Sequence, residues 1–275
     1  MTTQHFPLTG PINLDVRVSV GAIVVRAEDD VDTAEVELIP RRAQSDVVAR
    51  TRVTMTARTL TIRGPKGKGW SLDKLQGPTT CADVVDVHVV VPAGTSMRLA
   101  SYGAQVAVSG RAGSVVIATG AGSATAERID GDLVARFANG NLDVARVDGS
   151  ATLRFNGGQA HLGDVTGDLT LACGSGDIAV DAAHGRVRAR TGAGAVTIGH
   201  AGGDVDLSTG SGLLSVGLGP GQPARLDITT GRGRLVSDLD VTDSEPVDAD
   251  GSGGPAITIR TRSGSGDVRL FRAVA

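Results

Sequence analysis

A fixed glycine spacing constrains this chain more than any other feature. Glycine recurs with an 18-residue step at Gly113, Gly131, Gly149, Gly167, Gly185, Gly203 and Gly221. A second series with the same step comprises Gly122, Gly140, Gly158, Gly176, Gly194 and Gly212. Self-similarity at a short fixed period is the signature of a solenoid, in which each repeat stacks on its neighbours. The spacing therefore predicts architecture far better than it predicts function.

Each 18-residue repeat contains two short runs in which apolar and polar residues alternate. The repeat at 170–187 reads TLACGSGDIAVDAAHGRV. Alternation with period two predicts strands, and glycine is suited to the corners between them because it tolerates positive φ and close backbone approach. One turn cannot bury its own apolar face, but turns stacked about 4.8 Å apart form parallel sheets around a shared core. A column containing Phe137, Phe155, Cys173, Thr191 and Thr209 supports this register.

The chain is predicted to divide near residue 95. Residues 1–95 lack the 18-residue step and are expected to form a β-rich, antiparallel-like cap with strands at 12–20, 22–26, 33–38, 53–63 and 84–91. Residues 96–275 are expected to form the solenoid. Past Pro220 we expect further turns at 225–236 and 257–271, with Phe271 near the far end and an exposed acidic loop at about 238–255. The predicted fold is all-β: a parallel β-solenoid, β-helix-like with 18-residue turns, behind a non-repeating β cap.

Composition excludes several classes of partner. The 275 residues carry a net charge of −3, which argues against bulk binding to nucleic acid or an anionic membrane. Aromatic residues make up 2% of the chain, so no stacking platform for bases or sugars is expected. No segment approaches the length of a membrane span and the first residues do not resemble a signal peptide, so we expect a cytoplasmic protein without direct membrane insertion. Of the two cysteines, Cys173 falls in an inward column, and a disulfide with Cys81 stays open.

Recurring elements resemble a known family. TGSG, GSGD and G-D-[LV] elements follow the lead-in VVVPAGTS, most clearly from Val89 to Val236 and again at Ser263–Leu270. They are similar to those of the bacterial putative-adhesin family, β-strand-repeat domains of unknown function grouped with the toastrack domains. The resemblance implies a β-helix-like solenoid and, for some relatives, a link to cell-envelope stress sensing or surface attachment. It implies no catalytic residues.

Metal and phosphate sites are not expected from the motifs. Calcium-binding β-rolls need an aspartate after each corner glycine, whereas the residues after the second glycine series are Ser123, Asn141, Gln159, Asp177, Ala195 and Leu213. The G-x-G pairs lack the third glycine and the following helix of a phosphate-binding loop. The five histidines, His5, His88, His161, His184 and His200, show no ligand spacing. We therefore predict neither a metal nor a cofactor.

Aspartates at one corner suggest an alternative. Asp132, Asp168 and Asp204 recur on alternate turns, about 10 Å apart at the usual strand spacing. That separation lies near the range for the carboxylate pair of an inverting glycosidase, which would fit a polysaccharide-acting enzyme on a β-helix. No aromatic residues accompany them, so we interpret them as turn aspartates bonded to their own backbone.

Arginines on one outward face are the only candidate binding residues. Arg136 and Arg154 share a column on adjacent turns, with Arg188 and Arg190 on the same face two turns later. Like charges side by side in a sheet are unfavourable unless an anion or acidic partner lies opposite. Two interpretations stay open: solvated, splayed arginines, or a site for an anionic ligand.

The leading functional hypothesis is a non-enzymatic scaffold or binding module. It would present flat sheet faces to another macromolecule, for which we expect a protein. The alternative is the polysaccharide-acting enzyme, which clustered carboxylates in a groove with nearby aromatic residues would favour.

Overall fold

The computed structural model describes residues 2–42, 45–65, 84–239 and 256–273. In these ranges the chain forms nineteen strands and one short helix, which confirms the predicted all-β class. The elements are β1 Thr2–Pro7, β2 Asn13–Glu28, β3 Thr33–Pro40, α1 Val47–Arg50, β4 Arg52–Thr56, β5 Thr59–Arg63, β6 Val85–Pro92, β7 Ser96–Ala112, β8 Val115–Ile129, β9 Leu133–Val147, β10 Ala151–Val165, β11 Leu169–Ala183, β12 Val187–Ala193, β13 Val196–Ala201, β14 Val205–Ser211, β15 Leu214–Leu218, β16 Ala224–Thr230, β17 Leu235–Ser237, β18 Ile257–Ser263 and β19 Val268–Arg272.

The chain separates into two compact units, Met1–Asn141 and Leu142–Ala275. Strand β9 contributes residues to both. The domain boundary expected near residue 95 stays a prediction. The stretch that holds Trp70 and Cys81, and the acidic loop from residue 240, lie outside the described residues.

The second unit stacks parallel strands in the predicted register. Leu153 of β10 lies opposite Leu171 of β11, which lies opposite Ala189 of β12, and Ala189 lies opposite Leu207 of β14. Each step is one 18-residue period, and all four side chains are buried. The second strand of each turn repeats this in β11, β13 and β15. The predicted β-solenoid with 18-residue turns is confirmed.

One inward column of the second unit changes from rings to hydroxyls. Phe155, Cys173, Thr191 and Thr209 lie in register on successive strands, as predicted, and each is buried. Burial raises the pKa of the Cys173 thiol. The Thr191 hydroxyl donates to the carbonyl oxygen of Ala193 at 3.0 Å. The buried threonine hydroxyls of this column thus donate to backbone carbonyl oxygens at the adjacent corner, so they are not left without a hydrogen-bond partner.

The two glycine series meet two different requirements. Gly176 of the second series has φ of +139°, and a methyl group there would overlap the carbonyl oxygen of Gly158 in the preceding turn. Gly185 of the first series has no positive φ, but a methyl group would lie 2.5 Å from the carbonyl oxygen of Gly167. Gly176 thus requires both a positive φ and close backbone approach, whereas Gly185 requires close backbone approach alone.

The last turn of the second unit is inserted between two earlier ones. Strand β18 pairs on one side with β14, where Leu207 lies opposite Thr261, and on the other with β16, where Thr261 lies opposite Ile228. Strand β19 lies between β15 and β17 in the same way. The sequence order of the turns predicted that 225–236 would stack first and that Phe271 would lie near the far end. That order is wrong, because the turn at 257–272 stacks before the turn at 224–237.

The first unit has a parallel stack covered by antiparallel strands. Strand β2 pairs in parallel with β7, with Val16 opposite Leu99, and on its other side with β5 and β6. Strand β3 is antiparallel to β6, β1 to β3, and β4 to β5. The predicted N-terminal β cap is confirmed. Residues 12–26 form one strand rather than two, and 53–63 form a hairpin in which Ala57 has φ of +51°, as short hairpin loops require.

Candidate binding face

A regular row of arginines crosses the second unit. Arg154 lies opposite Ala172, Ala172 opposite Arg190, Arg190 opposite Ser208, and Ser208 opposite Arg262. Arginine therefore occurs on every second strand, with a small residue between. At the usual strand spacing, successive arginine Cα atoms are about 10 Å apart. We call Arg154, Arg190 and Arg262 the arginine row.

The arginine row points to solvent and is unpaired. All three side chains are exposed, and within the part of the chain that the structure describes none makes a hydrogen bond or ion pair. They project outward because the residues on either side in each strand, such as Leu153 and Phe155 beside Arg154, are buried. The row thus carries three uncompensated guanidinium groups along one direction.

Arg188 lies in a neighbouring row of different character. It lies opposite Asp206, which lies opposite Arg260, and Arg260 lies opposite Asp227. The Arg260 Nε to Asp227 Oδ2 distance is 2.9 Å. This row alternates in sign, so Arg188 has an acidic neighbour that the sequence analysis did not consider. It lies on the same outward face as Arg190, but the acidic residue opposite it offsets its positive charge.

The four predicted residues are divided between the units. Arg154, Arg188 and Arg190 belong to the second unit, whereas Arg136 is an exposed residue of β9 in the first. Sequence reasoning missed Arg262. Its signal was the similarity of RSGSG at 262–266 to STGSG at 208–212, which places Arg262 beside Ser208 once the inserted turn is known.

Two carboxylates and a histidine lie side by side on neighbouring strands of the second unit. The His161 Nδ1 atom lies 3.1 Å from Asp143 Oδ1, and its Nε2 atom lies 3.2 Å from Asp181 Oδ2. These hydrogen bonds raise the pKa of His161, with Asp143 the larger cause. The imidazole therefore links one carboxylate of the preceding turn to one of the following turn.

Corner aspartates bond the next turn rather than their own backbone. Asp168 Oδ1 accepts the N–H of Arg186 at 3.0 Å, and Asp204 Oδ1 accepts the N–H of Thr258 at 2.9 Å. The backbone bond, followed by the Arg186 side chain at 3.0 Å, lowers the pKa of Asp204. The prediction that these carboxylates bond their own turns is wrong for both.

A shallow groove lies on the outer surface of the first unit. It has a volume of about 210 Å³ and is lined by Val24, Arg26, Glu35, Glu37, His88, Val89 and Val90. The Nδ1 atom of His88 is 3.8 Å from Glu37 Oε2. No Phe, Tyr or Trp side chain lines this groove. Across the described ranges no group of three His, Cys, Asp or Glu residues is placed to hold a metal ion.

No helix within the described ranges is long and apolar enough to cross a membrane. A scan against protein-family models finds no match, and neither does a search of curated proteins.

Solved structures do resemble this chain. A putative lipid binding protein from Parabacteroides distasonis gives a TM-score of 0.52 at 10% identity, covering 98% of this chain and 96% of that one. Putative adhesins from Bacteroides fragilis and Parabacteroides distasonis give TM-scores of 0.42 and 0.32 at 13% and 14% identity, each covering 98% of this chain and 96% of the other. At such identities the likeness concerns the fold alone. The β-helix-like solenoid that the family resemblance implied is the fold observed.

Proposed function

We propose that this protein is a non-enzymatic binding module that offers the arginine-bearing face of its solenoid to an acidic macromolecule. The observation that carries this proposal is the arginine row. Three exposed guanidinium groups lie in register without an acidic partner in the described chain. Guanidinium groups form short, charge-assisted and often bidentate hydrogen bonds with carboxylates and phosphates. An acidic partner would supply the counter-charge that the row lacks.

The parallel strands hold this face in a fixed geometry, so it can bind a partner without a conformational change. Each arginine is anchored between buried neighbours in a strand that is hydrogen-bonded to the next, so the spacing of the row is set by the backbone. A surface fixed in this way loses little conformational freedom when a partner binds. Affinity then comes from several weak contacts acting together, because a single exposed ion pair contributes about 0.2–1 kcal/mol.

Two observations support a non-enzymatic role over action on polysaccharide. Asp168 and Asp204 already accept backbone hydrogen bonds from the next turn, so they hold adjacent turns together. The groove that holds Glu35 and Glu37 is lined otherwise by three valines, Arg26 and His88, and by no Phe, Tyr or Trp. Neither place combines paired carboxylates with a surface on which a sugar ring would stack.

Binding to a polyanion tests the proposal. We expect the wild type to bind poly-glutamate at low salt, and the variant with Arg154, Arg188, Arg190 and Arg262 all changed to Ala to bind at least about tenfold more weakly. Raising the salt to about 0.15 M should weaken wild-type binding, because charges there are screened over about 8 Å. Titration by fluorescence anisotropy measures both effects.

A charge-matched variant separates the face from net charge. It replaces four exposed arginines that also lack ion pairs in the described chain: Arg42, Arg52, Arg98 and Arg232. This variant should keep near wild-type affinity. If both variants lose binding equally, attraction is due to overall charge and the proposed face is wrong.

A further inference from the structure

We infer that the arginine row recognises an extended acidic peptide segment in the polyproline II conformation, with an acidic residue at every third position. This inference rests on the proposed function and narrows its partner. The row from Arg154 to Arg262 crosses four strand spacings, which amount to about 19 Å. A polyproline II chain rises about 3.1 Å per residue with three residues per turn, so side chains at every third position lie on one side about 9.3 Å apart. Three such side chains span about 19 Å.

Other peptide conformations fit the row less well. A β-strand places side chains of one face about 6.8 Å apart, so three of them span about 14 Å. Strands β11, β12, β14 and β18 of the row cannot accept a peptide by edge pairing, because they have neighbours on both sides. A helix usually binds through an apolar stripe in an apolar groove. The outward residues between the arginines are Ala172 and Ser208, which form no such groove.

The surroundings of the row favour a peptide over a glycan or a nucleic acid. Bases and sugar rings gain affinity by stacking on aromatic side chains. The positions flanking the row in register carry Thr170, Arg188, Asp206 and Arg260, none of them aromatic. Asp206 and Asp227 in the neighbouring row would also repel a densely charged phosphate backbone. A peptide with charges spaced about 9 Å apart can place its carboxylates on the arginines and avoid these acids.

The inserted turn completes the row. Arg262 lies beside Ser208 only because β18 stacks on β14 ahead of β16. If the turns followed sequence order, the strand beside Ser208 would be β16, whose outward residue at this position is Thr229. The third contact therefore comes from a segment that lies three repeat periods further along the chain than its neighbour in the stack.

Spaced peptides test the inference. Two peptides of identical composition contain glutamate, proline and alanine, with glutamate at every third position in one and at every second position in the other. We expect the first to bind the full-length protein about fivefold more tightly, since the second forfeits at least one ion pair. Arg262→Ala should abolish that preference, and Ala172→Glu should weaken both peptides by placing an acid between Arg154 and Arg190. Arg98→Ala, an exposed arginine of the first unit, serves as the control.

Each outcome decides between the two levels of the proposal. Tighter binding of the every-third peptide that depends on Arg262 supports the inference. Equal affinity for the two peptides overturns the inference and leaves the proposed function standing, provided that poly-glutamate still binds through the face. Binding of heparin with neither peptide bound also overturns it, in favour of an acidic polysaccharide. If poly-glutamate, heparin and both peptides fail to bind, the proposed function fails as well.

Discussion

The outermost parallel turns of the two units differ in how they are covered. In the first unit, the turn formed by β5 and β6 carries antiparallel neighbours, and Ile62 is fully buried. In the second unit, the outermost described turn is formed by β16 and β17, where Leu235 and Val236 are 51% and 48% exposed. The outermost parallel turn of the first unit is thus shielded, whereas the outermost described turn of the second unit exposes apolar side chains.

The comparison shows what a cap contributes to a stacked sheet. An edge strand leaves backbone groups and half of its apolar contacts unsatisfied, and further strands or polar side chains must compensate. Strands β1, β3 and β4 do this in the first unit. In the second unit β16 pairs only with β18 among the described strands, so its place in the stack depends on that contact.

Removal of terminal strands gives the largest expected effect. Deleting 256–275 removes the buried side chains Ile257, Ile259, Val268 and Leu270, each worth about 1.5–3 kcal/mol. The deletion also removes the described partner of β16 and β17, so amides of 224–237 should lose protection in hydrogen exchange and the melting temperature should fall sharply. Deleting 2–8 removes β1, which has no buried side chain, and should cost less than about 2 kcal/mol. Comparable losses in the two deletions would contradict the internal position of β18 and β19 in the stack.

A matched pair of isoleucines measures the same difference at single residues. Ile62→Ala in β5 should cost about 2–5 kcal/mol, because Ile62 is fully buried and a cavity would remain. Ile228→Ala in β16 should cost about 1 kcal/mol, because Ile228 is only half-buried and solvent can fill the space. Urea denaturation provides both values. Equal costs would mean that β16 is shielded as well as β5.

Dependence on pH gives the smallest expected effect. Because the folded-state pKa of His161 is raised, its bonds to Asp143 and Asp181 stabilise the second unit fully below about pH 6.5, and this contribution is lost as pH rises through the folded pKa. His161→Gln should therefore lower the melting temperature at pH 5.5 and leave it nearly unchanged at pH 8. The exposed site limits the effect to less than about 1 kcal/mol.

His88→Gln in the first unit is the comparison for that measurement. The Nδ1 atom of His88 lies 3.8 Å from Glu37 Oε2, beyond hydrogen-bond distance, so His88→Gln removes no such hydrogen bond and serves as the control. A loss in His161→Gln that is larger at pH 8 than at pH 5.5 would refute the assigned role.

The 18-residue period was sufficient to predict the register but not the order of the turns. Leu171 lies opposite Ala189 and Phe155 opposite Cys173 because apolar positions must coincide for the core to close. Every turn alternates inward and outward positions in the same pattern, so the pattern alone does not decide whether Leu207 stacks on Thr261 or on Ile228.

The candidate face likewise was predictable from the sequence in part only. Arg154 and Arg190 share a row because they differ by two periods, which the sequence alone reveals. The sequence also predicts that Asp206 lies beside Arg188, because the two residues are one 18-residue period apart. Arg262 required knowledge of the inserted turn, since nothing in the spacing distinguishes it from Thr229 as the next residue of the row.

The inserted turn also has a consequence for the order of events during synthesis. Residues 224–237 leave the ribosome before 257–272, yet the described strands pair them only with that later segment. At about 5–20 residues per second, the earlier turn waits on the order of seconds for its neighbour. During this interval the growing chain carries apolar residues such as Leu226 and Ile228 without a partner strand. Arrival of β18 and β19 ends that exposure and completes the arginine row in the same step, so a nascent chain interrupted before them would expose apolar side chains and lack Arg262, the third arginine of the row.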